Sequence, residues 1–266
     1  MNIELKNGEV ISELKKLEDS SIDVVITSPP YWKGFGYEAY FNSYAQYLRW
    51  SKKWMKEIKR VLKPNGTFYL NVINDSEITV RAFELMQIAT EELMYKLHDT
   101  IIWYRYNQQP ANTTRQLTNQ CEYVFMLRHT SNEVELNKIG AYELNKHIFK
   151  TKNVGNVWEI PFNSGSKSQT DFGRKETKSK FGHSGFPSEI PETCIILSSK
   201  ENDVVLDCFV GTGQTALASL KLNRNFIGID LDINSIELTK NRVEGKRKEK
   251  DFNLVTSFGD ELILTP

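Results

Sequence analysis

The sequence lacks any apolar run of about 18 residues, so nothing in it predicts a membrane-spanning helix. The first residues, Met1 to Lys6, do not form the apolar core of a signal peptide. Cysteine is scarce and scattered, occurring only as Cys121, Cys194 and Cys208. An odd number of separated cysteines is neither a disulfide framework nor a metal cluster. We therefore expect reduced core cysteines, no metal and a cytoplasmic protein.

Net charge is also absent, because 34 basic residues balance 34 acidic ones. A protein held to nucleic acid by charge alone is expected to be basic, so the balance argues weakly against a simple electrostatic binder. The basic residues are nevertheless clustered in 167–180 and 242–250. Each cluster is either a phosphate-binding surface or a solvated loop or helix end, and charge alone leaves both readings open.

The most informative segment is 27–32, Thr-Ser-Pro-Pro-Tyr-Trp, which follows a predicted buried strand at 22–26. Two successive prolines have no N–H to donate, so they cannot continue a strand and instead predict a stiff turn with free carbonyl oxygens. With the hydroxyl of Ser28 and the ring of Tyr31, such a turn can accept hydrogen bonds from an amino group beside a stacking surface. An ordinary strand-ending turn with an exposed tyrosine is the alternative.

A second candidate site lies where a predicted strand, 203–209, runs into Gly211-Thr212-Gly213 and then a helix. Glycines let the backbone approach a ligand, and a helix N-terminus offers free N–H groups. Asp230 ends the next predicted strand, where an acid can hold ribose hydroxyls. The full dinucleotide glycine pattern and a Gly-Lys-Ser/Thr loop are both absent, which favours S-adenosylmethionine over NAD or ATP. An ordinary turn with an acidic helix cap is the alternative.

Strands alternating with helices predict a doubly wound α/β sheet. Further strands are predicted at 2–5, 67–72, 98–106, 122–127 and 225–230. Helices are predicted to begin at Ser43, at Asp75 or Ser76, at Ser188 and at Asp232. The short connection between 98–106 and 122–127 predicts antiparallel neighbours. The pattern weakens from 128 to 186, which predicts an inserted region of long loops.

The two sites together resemble the DNA methyltransferases that modify exocyclic amino groups, N4 of cytosine or N6 of adenine. The family's catalytic tetrapeptide is Asp, Asn or Ser, then Pro-Pro and an aromatic, and stands here at 28–31 as Ser-Pro-Pro-Tyr. Its cofactor motif, roughly Asp-Pro-Phe-x-Gly-Ser-Gly-Thr-Thr, is similar to 207–215, with Cys208 and Gln214 as departures. The segment 183–187, His-Ser-Gly-Phe-Pro, resembles a third family element.

The order of these motifs resembles the β group of the family. It implies a Rossmann-like, circularly permuted methyltransferase sheet with an inserted target-recognition region. The implied division is a catalytic half at 1–127, recognition loops at 128–182 and a cofactor half at 183–266.

The resemblance implies methyl transfer from S-adenosylmethionine to N4 of cytosine in a specific duplex sequence, by base flipping and direct transfer. Serine rather than aspartate at position 28 favours cytosine. Adenine-N6 methylation is the first alternative, and an inactive cofactor-binding, DNA-recognition subunit is the second.

The resemblance also implies roles for particular residues. The implied catalytic residues are Ser28, Pro29, Pro30 and Tyr31. The implied cofactor-binding residues are Asp207, Phe209, Gly211, Thr212, Gly213, Thr215, Asp230, His183 and Phe186. The predicted contacts to double-stranded DNA are Arg105, Arg115, Lys167, Arg174, Lys175, Lys178 and Lys180. A separate restriction endonuclease is the expected partner system, and the protein is expected to be a monomer or homodimer.

Overall fold

Strands and helices alternate along the chain in the computed structural model, which describes residues 1–32, 41–73, 81–108, 117–129, 134–161, 185–245 and 253–258. The strands are β1 (Asn2–Asn7), β2 (Ile22–Thr27), β3 (Leu62–Val72), β4 (Lys96–Tyr104), β5 (Cys121–Arg128), β6 (Val157–Glu159), β7 (Val204–Asp207), β8 (Asn225–Asp230) and β9 (Asn253–Phe258). The helices are α1 (Val10–Leu14), α2 (Tyr44–Val61), α3 (Arg81–Gln87), α4 (Lys138–Leu144), α5 (Glu189–Ser198), α6 (Gln214–Lys221) and α7 (Ile233–Gly245). A π-helical turn, Ile88–Glu92, extends α3.

The strands form one sheet in the order β6-β4-β5-β3-β2-β7-β8-β1-β9. Strand β2 pairs in parallel with β3 on one side and with β7 on the other. The chain leaves this central pair in opposite directions, so the β2/β7 boundary is a topological switch point, where ligands bind at the carboxyl ends of the strands. Ser28 and Cys208 directly follow those two ends. The predicted Rossmann-like α/β fold is confirmed, and the two motifs meet at one edge.

The antiparallel pairing predicted for the two middle strands is confirmed in β4 and β5. The region from 128 onward, predicted as long loops, departs from that expectation in its described part. It contains α4, and its β6 extends the sheet by pairing in parallel with β4. A three-residue strand has too little sequence period to be recognised, and its order comes from the neighbouring strand. Strand β1, placed by the implied division in the catalytic half, pairs with β8 and β9.

Each face of the sheet is covered by helices. One buried cluster joins the sheet to α1, α2 and α3, and the other joins it to α4, α5, α6 and α7. Ser43 caps α2 as predicted, since its Oγ accepts from Gln46 N at 3.3 Å. The buried side chains of α2 are Tyr47, Ser51, Trp54, Met55, Ile58 and Val61. Tyr47 reaches the residues that follow β2, where it bonds the Pro30 carbonyl. None of the helices in the described ranges is long and apolar enough to cross a bilayer.

Candidate active site

A buried hydrogen bond connects the ends of the two central strands. Thr27, the last residue of β2, donates from Oγ1 to Asp207 Oδ1 at 2.7 Å, and both side chains are almost fully buried. Asp207 ends β7, and its Oδ1 also accepts from Phe209 N at 3.1 Å. Burial raises the pKa of Asp207 to about 6, although these donors oppose the shift. The Pro-Pro corner and the glycine turn are therefore joined through one carboxylate.

The Pro-Pro corner, residues 28–31, is held by two phenol groups. Ser28 Oγ and Tyr31 OH lie 2.6 Å apart and share a hydrogen bond. Tyr47 OH, from α2, donates to the Pro30 carbonyl at 2.9 Å. Two residues on, the carbonyl of Trp32 accepts from the guanidinium of Arg81. The corner is thus bonded on both sides of its two prolines.

A pocket opens beside the corner. Its walls are mostly aromatic and aliphatic, formed by Tyr31, Trp32, Tyr47, Val72, Ile73, Arg81, Ala82 and Leu85. The ring of Trp32 contacts those of Tyr44 and Tyr47 at centroid distances of 6.0 and 6.1 Å. An apolar pocket with a few convergent polar groups is the usual form of a small-ligand site. The ring of Tyr31 forms part of the pocket wall.

Arg105, predicted to contact phosphate, lies in the interior behind Tyr31. Its guanidinium donates to Glu122 Oε1 at 3.2 Å and to the Asn119 carbonyl at 2.7 Å, and the residue is 6% exposed. A cation that is buried and paired in this way does not face a DNA backbone.

Burial and the charge of Glu122 both raise the pKa of Tyr31 well above its usual range, so its phenol stays protonated.

The glycine turn is fastened to the end of β8 by Asp230. Its Oδ2 accepts from Gly211 N at 2.8 Å and its Oδ1 from Asp232 N at 2.9 Å. Burial, with a smaller contribution from the charges of Asp232 and Asp207, raises the pKa of Asp230 to about 7. Gly213 has φ of 81°, and a Cβ there would lie 2.6 Å from Thr239 Oγ1. This bare turn with a strand-end carboxylate fits the ribose and methionine parts of S-adenosylmethionine.

The remaining predicted cofactor residues occupy different positions around this turn. Thr215 is fully buried and donates to Asp207 Oδ2 at 2.6 Å, so it helps to fix the orientation of the Asp207 carboxylate. The ring of Phe209 packs on Trp50 and Trp54, with centroid distances of 5.7 and 5.3 Å. Phe186 is buried in the opposite cluster.

Gly185, directly before Phe186, lies beside the glycine turn. A Cβ added to Gly185 would lie 3.4 Å from Thr212 Oγ1. Other predicted site residues lie outside the described ranges: His183, Arg115, Lys167, Arg174, Lys175, Lys178 and Lys180.

Arg242 takes part in the site although its role was not predicted. It begins the second basic cluster, 242–250, yet its guanidinium donates to the Thr212 carbonyl and to Gln214 Oε1. Burial lowers its pKa. Charge alone does not tell whether an arginine near the end of a helix faces solvent or, like Arg242, faces the protein.

Fold and site together define a Rossmann-like methyltransferase, and comparison with known proteins identifies its family. A family model of DNA methylases, the N6 and N4 methyltransferases, matches residues 22–241. The chain therefore belongs to this family and is an S-adenosylmethionine-dependent DNA methyltransferase.

Individual relatives agree with this assignment. The type II methyltransferase M.HpaI of Haemophilus parainfluenzae is 30% identical over 245 residues, spanning 90% of this chain and 73% of that protein. The structure of the PvuII DNA methyltransferase, described as cytosine-N4-specific, matches with a TM-score of 0.71 at 17% identity, covering 96% of this chain and 95% of that one. M1.HpyAVI in complex with SAM matches with a TM-score of 0.64 at 22% identity, covering 91% and 98%.

The Thr27–Asp207 bond gives a first prediction. Replacing Thr27 by valine keeps the shape but removes a buried donor from a carboxylate, which should destabilise the fold by about 1–3 kcal/mol. Thr27→Ser keeps the hydroxyl and loses one methyl, a cost of ~1 kcal/mol. Urea unfolding measures both. Cofactor affinity should fall in Thr27→Val and stay near wild type in Thr27→Ser; equal affinity in the two variants would contradict the link.

The raised pKa of Asp230 gives a second prediction. Ribose hydroxyls donate to an ionised carboxylate better than to a protonated one. Affinity for S-adenosylmethionine should therefore rise with pH up to about 7, where Asp230 ionises, and then level off. Calorimetric titration between about pH 5.5 and 8.5 measures this dependence.

Two variants test the origin of that pH dependence. Asp230→Asn should lower the affinity at least about tenfold at high pH and abolish the rise. Asp232→Asn keeps a good helix cap and removes a charge that raises the pKa of Asp230, so the midpoint should move to lower pH. A rise that persists in Asp230→Asn would assign it to another group.

Proposed function

We propose that this enzyme methylates the exocyclic N4 of cytosine in duplex DNA, by flipping the base out and transferring the methyl group directly. The observation that carries the proposal is the Thr27–Asp207 bond of 2.7 Å, because it sets the Pro-Pro corner beside the glycine turn. Both motifs lie at the carboxyl ends of adjacent parallel strands, which is where sheets of this kind bind their ligands.

The corner supplies acceptors for an amino group. An exocyclic nitrogen is a weak nucleophile because its lone pair is delocalised into the ring. Hydrogen bonds from the NH₂ group to Ser28 Oγ and to the Pro29 carbonyl would turn that lone pair toward the methyl donor. Within the described ranges no group donates to the Pro29 carbonyl, whereas the Pro30 carbonyl is occupied by Tyr47. Fixed acceptors of this kind favour the transition state because they need no rearrangement.

The pocket beside the corner supplies the place for a flipped base. In the duplex the target amino group is engaged in pairing, so the base must leave the stack, at a cost of a few kcal/mol. The ring of Tyr31 in the pocket wall would stack on it, a contact typically worth ~1–3 kcal/mol.

The glycine turn and Asp230 would hold the methyl donor. Bound S-adenosylmethionine supplies a methyl group on a sulfonium, which is already a good leaving group. Asp230 would accept from the ribose hydroxyls, and Gly211 and Gly213 would admit the methionine part. No covalent enzyme intermediate is required. Holding the two reactants in line therefore accounts for much of the rate.

Cytosine is proposed over adenine because residue 28 is serine and follows threonine, a pattern associated with cytosine enzymes in the family that this chain resembles. Adenine-N6 remains the second candidate, since the matching family model covers both reactions and a hydroxyl accepts equally from either amino group.

The basic segment 167–180 and Arg115 are proposed as the phosphate contacts. Similarity to type II methyltransferases supports a role beside a separate restriction endonuclease.

Replacing Ser28 by alanine tests the corner. Loss of one acceptor should lower kcat for transfer of labelled methyl to DNA by about 10²–10³, with cofactor affinity unchanged. Ser198→Ala is the matched control, because Ser198 Oγ shares a 2.6 Å hydrogen bond with Tyr69 OH just as Ser28 does with Tyr31 OH. Ser198→Ala should remain active. Full activity in Ser28→Ala would remove the corner from the mechanism.

The identity of the product tests the base. DNA methylated by the purified enzyme is digested to nucleosides and analysed by mass spectrometry. We expect N4-methylcytosine as the product. N6-methyladenine would establish the second candidate, and DNA that stays unmethylated would support the inactive recognition subunit.

A further inference from the structure

Between its second proline and Tyr31, the Pro-Pro corner has a backbone torsion that its own sequence leaves loose. Each proline ring fixes φ at its residue. A following proline also restricts ψ, so Ser28 and Pro29 are both confined. Pro30 is followed by Tyr31, and its ψ is free of that restriction. This torsion orients the peptide that joins Pro30 to Tyr31, so together with the bond between Ser28 and Tyr31 it sets where the stacking ring lies.

Tyr47 bonds the group that this torsion moves. Its hydroxyl donates to the Pro30 carbonyl at 2.9 Å, and the residue is 4% exposed. The phenol itself has little freedom, because its ring stacks on Tyr44 at 5.9 Å and lies edge-on to Phe41 at 5.7 Å. The donor comes from α2, a helix of 18 residues anchored in the core. The carbonyl is thus held from a rigid element outside the corner.

We infer that Tyr47 is a positioning residue for methyl transfer: by holding the Pro30 carbonyl, it fixes the ψ torsion that places the ring of Tyr31 against the target base. The inference rests on the proposed function of the corner. It also explains the division between the two proline carbonyls. Tyr47 occupies the Pro30 carbonyl, so the Pro29 carbonyl is the one left to accept from the substrate. Tyr47 therefore contributes to the reaction as well as to the packing of the core.

Phenylalanine at position 47 removes the hydroxyl and keeps the ring. Burial keeps this phenol protonated, so the variant removes a neutral hydrogen bond and no charge. We expect kcat for DNA methylation to fall about tenfold or more, with KM for the cofactor within about twofold of wild type. A loss confined to kcat is expected if the ring of Tyr31 is misplaced in the transition state.

Tyr95→Phe is a matched control. Tyr95 is also 4% exposed, and its hydroxyl donates to the Met55 carbonyl, also at 2.9 Å, away from the corner. Both variants lose one hydrogen bond from a buried tyrosine to a backbone carbonyl, so urea unfolding should show similar losses of stability. Only Tyr47→Phe should lose turnover. Equal turnover in the two variants would overturn the inference, since the effect would then be one of stability.

A double-mutant cycle tests whether the effect passes through Tyr31. In a Tyr31→Ala background there is no ring to place, so adding Tyr47→Phe should lower kcat by less than about twofold. A full tenfold loss in that background would contradict the inference. If the wild-type enzyme transferred no methyl to DNA, the proposed function itself would fail, which is a separate outcome.

Discussion

The carboxylate of Asp207 is the interaction on which the site depends. It accepts from Thr27 Oγ1 at 2.7 Å, from Phe209 N at 3.1 Å and from Thr215 Oγ1 at 2.6 Å. Burying a carboxylate is unfavourable, as its pKa of about 6 reflects, and charge-assisted hydrogen bonds offset that cost. Thr27 ends β2, Phe209 stands just before the glycine turn and Thr215 lies in the first turn of α6 on its far side. One buried side chain therefore sets the position of both motifs.

The parts of the fold that could be predicted from sequence are those whose signal is local. Strands β2, β7 and β8 are nearly continuous apolar runs, as buried parallel strands are, and Ser43 and Asp232 stand at helix starts. Strands β6 and β9 were not predicted, because each lies at a sheet edge and takes its order from pairing with β4 or β1. Helix α4 was missed for a similar reason, since a seven-residue helix shows little periodicity.

The candidate site shows the same division between local and distant information. Parallel topology made it predictable that residues following two neighbouring strand ends would meet, and they do. The role of a side chain whose partner is distant in sequence was not predictable. Tyr47 lies on the buried side of α2, but helical spacing carries no information on where its hydroxyl points. Arg105 was predicted to contact DNA phosphate, and its partner Glu122 could not be foreseen because it lies on another strand.

The Pro-Pro corner and the glycine turn differ in how they respond to protons. At the corner the phenols of Tyr31 and Tyr47 both have pKa values raised by burial, so their hydrogen bonds are neutral near neutral pH. At the glycine turn and the strand ends beside it, Asp207 and Asp230 have pKa values of about 6 and about 7. The phenols of the corner therefore keep their protons over the range in which the two carboxylates change charge. We therefore expect the pH dependence of this enzyme to come from Asp207, which joins the corner to the glycine turn, and from Asp230, rather than from the phenols of the corner.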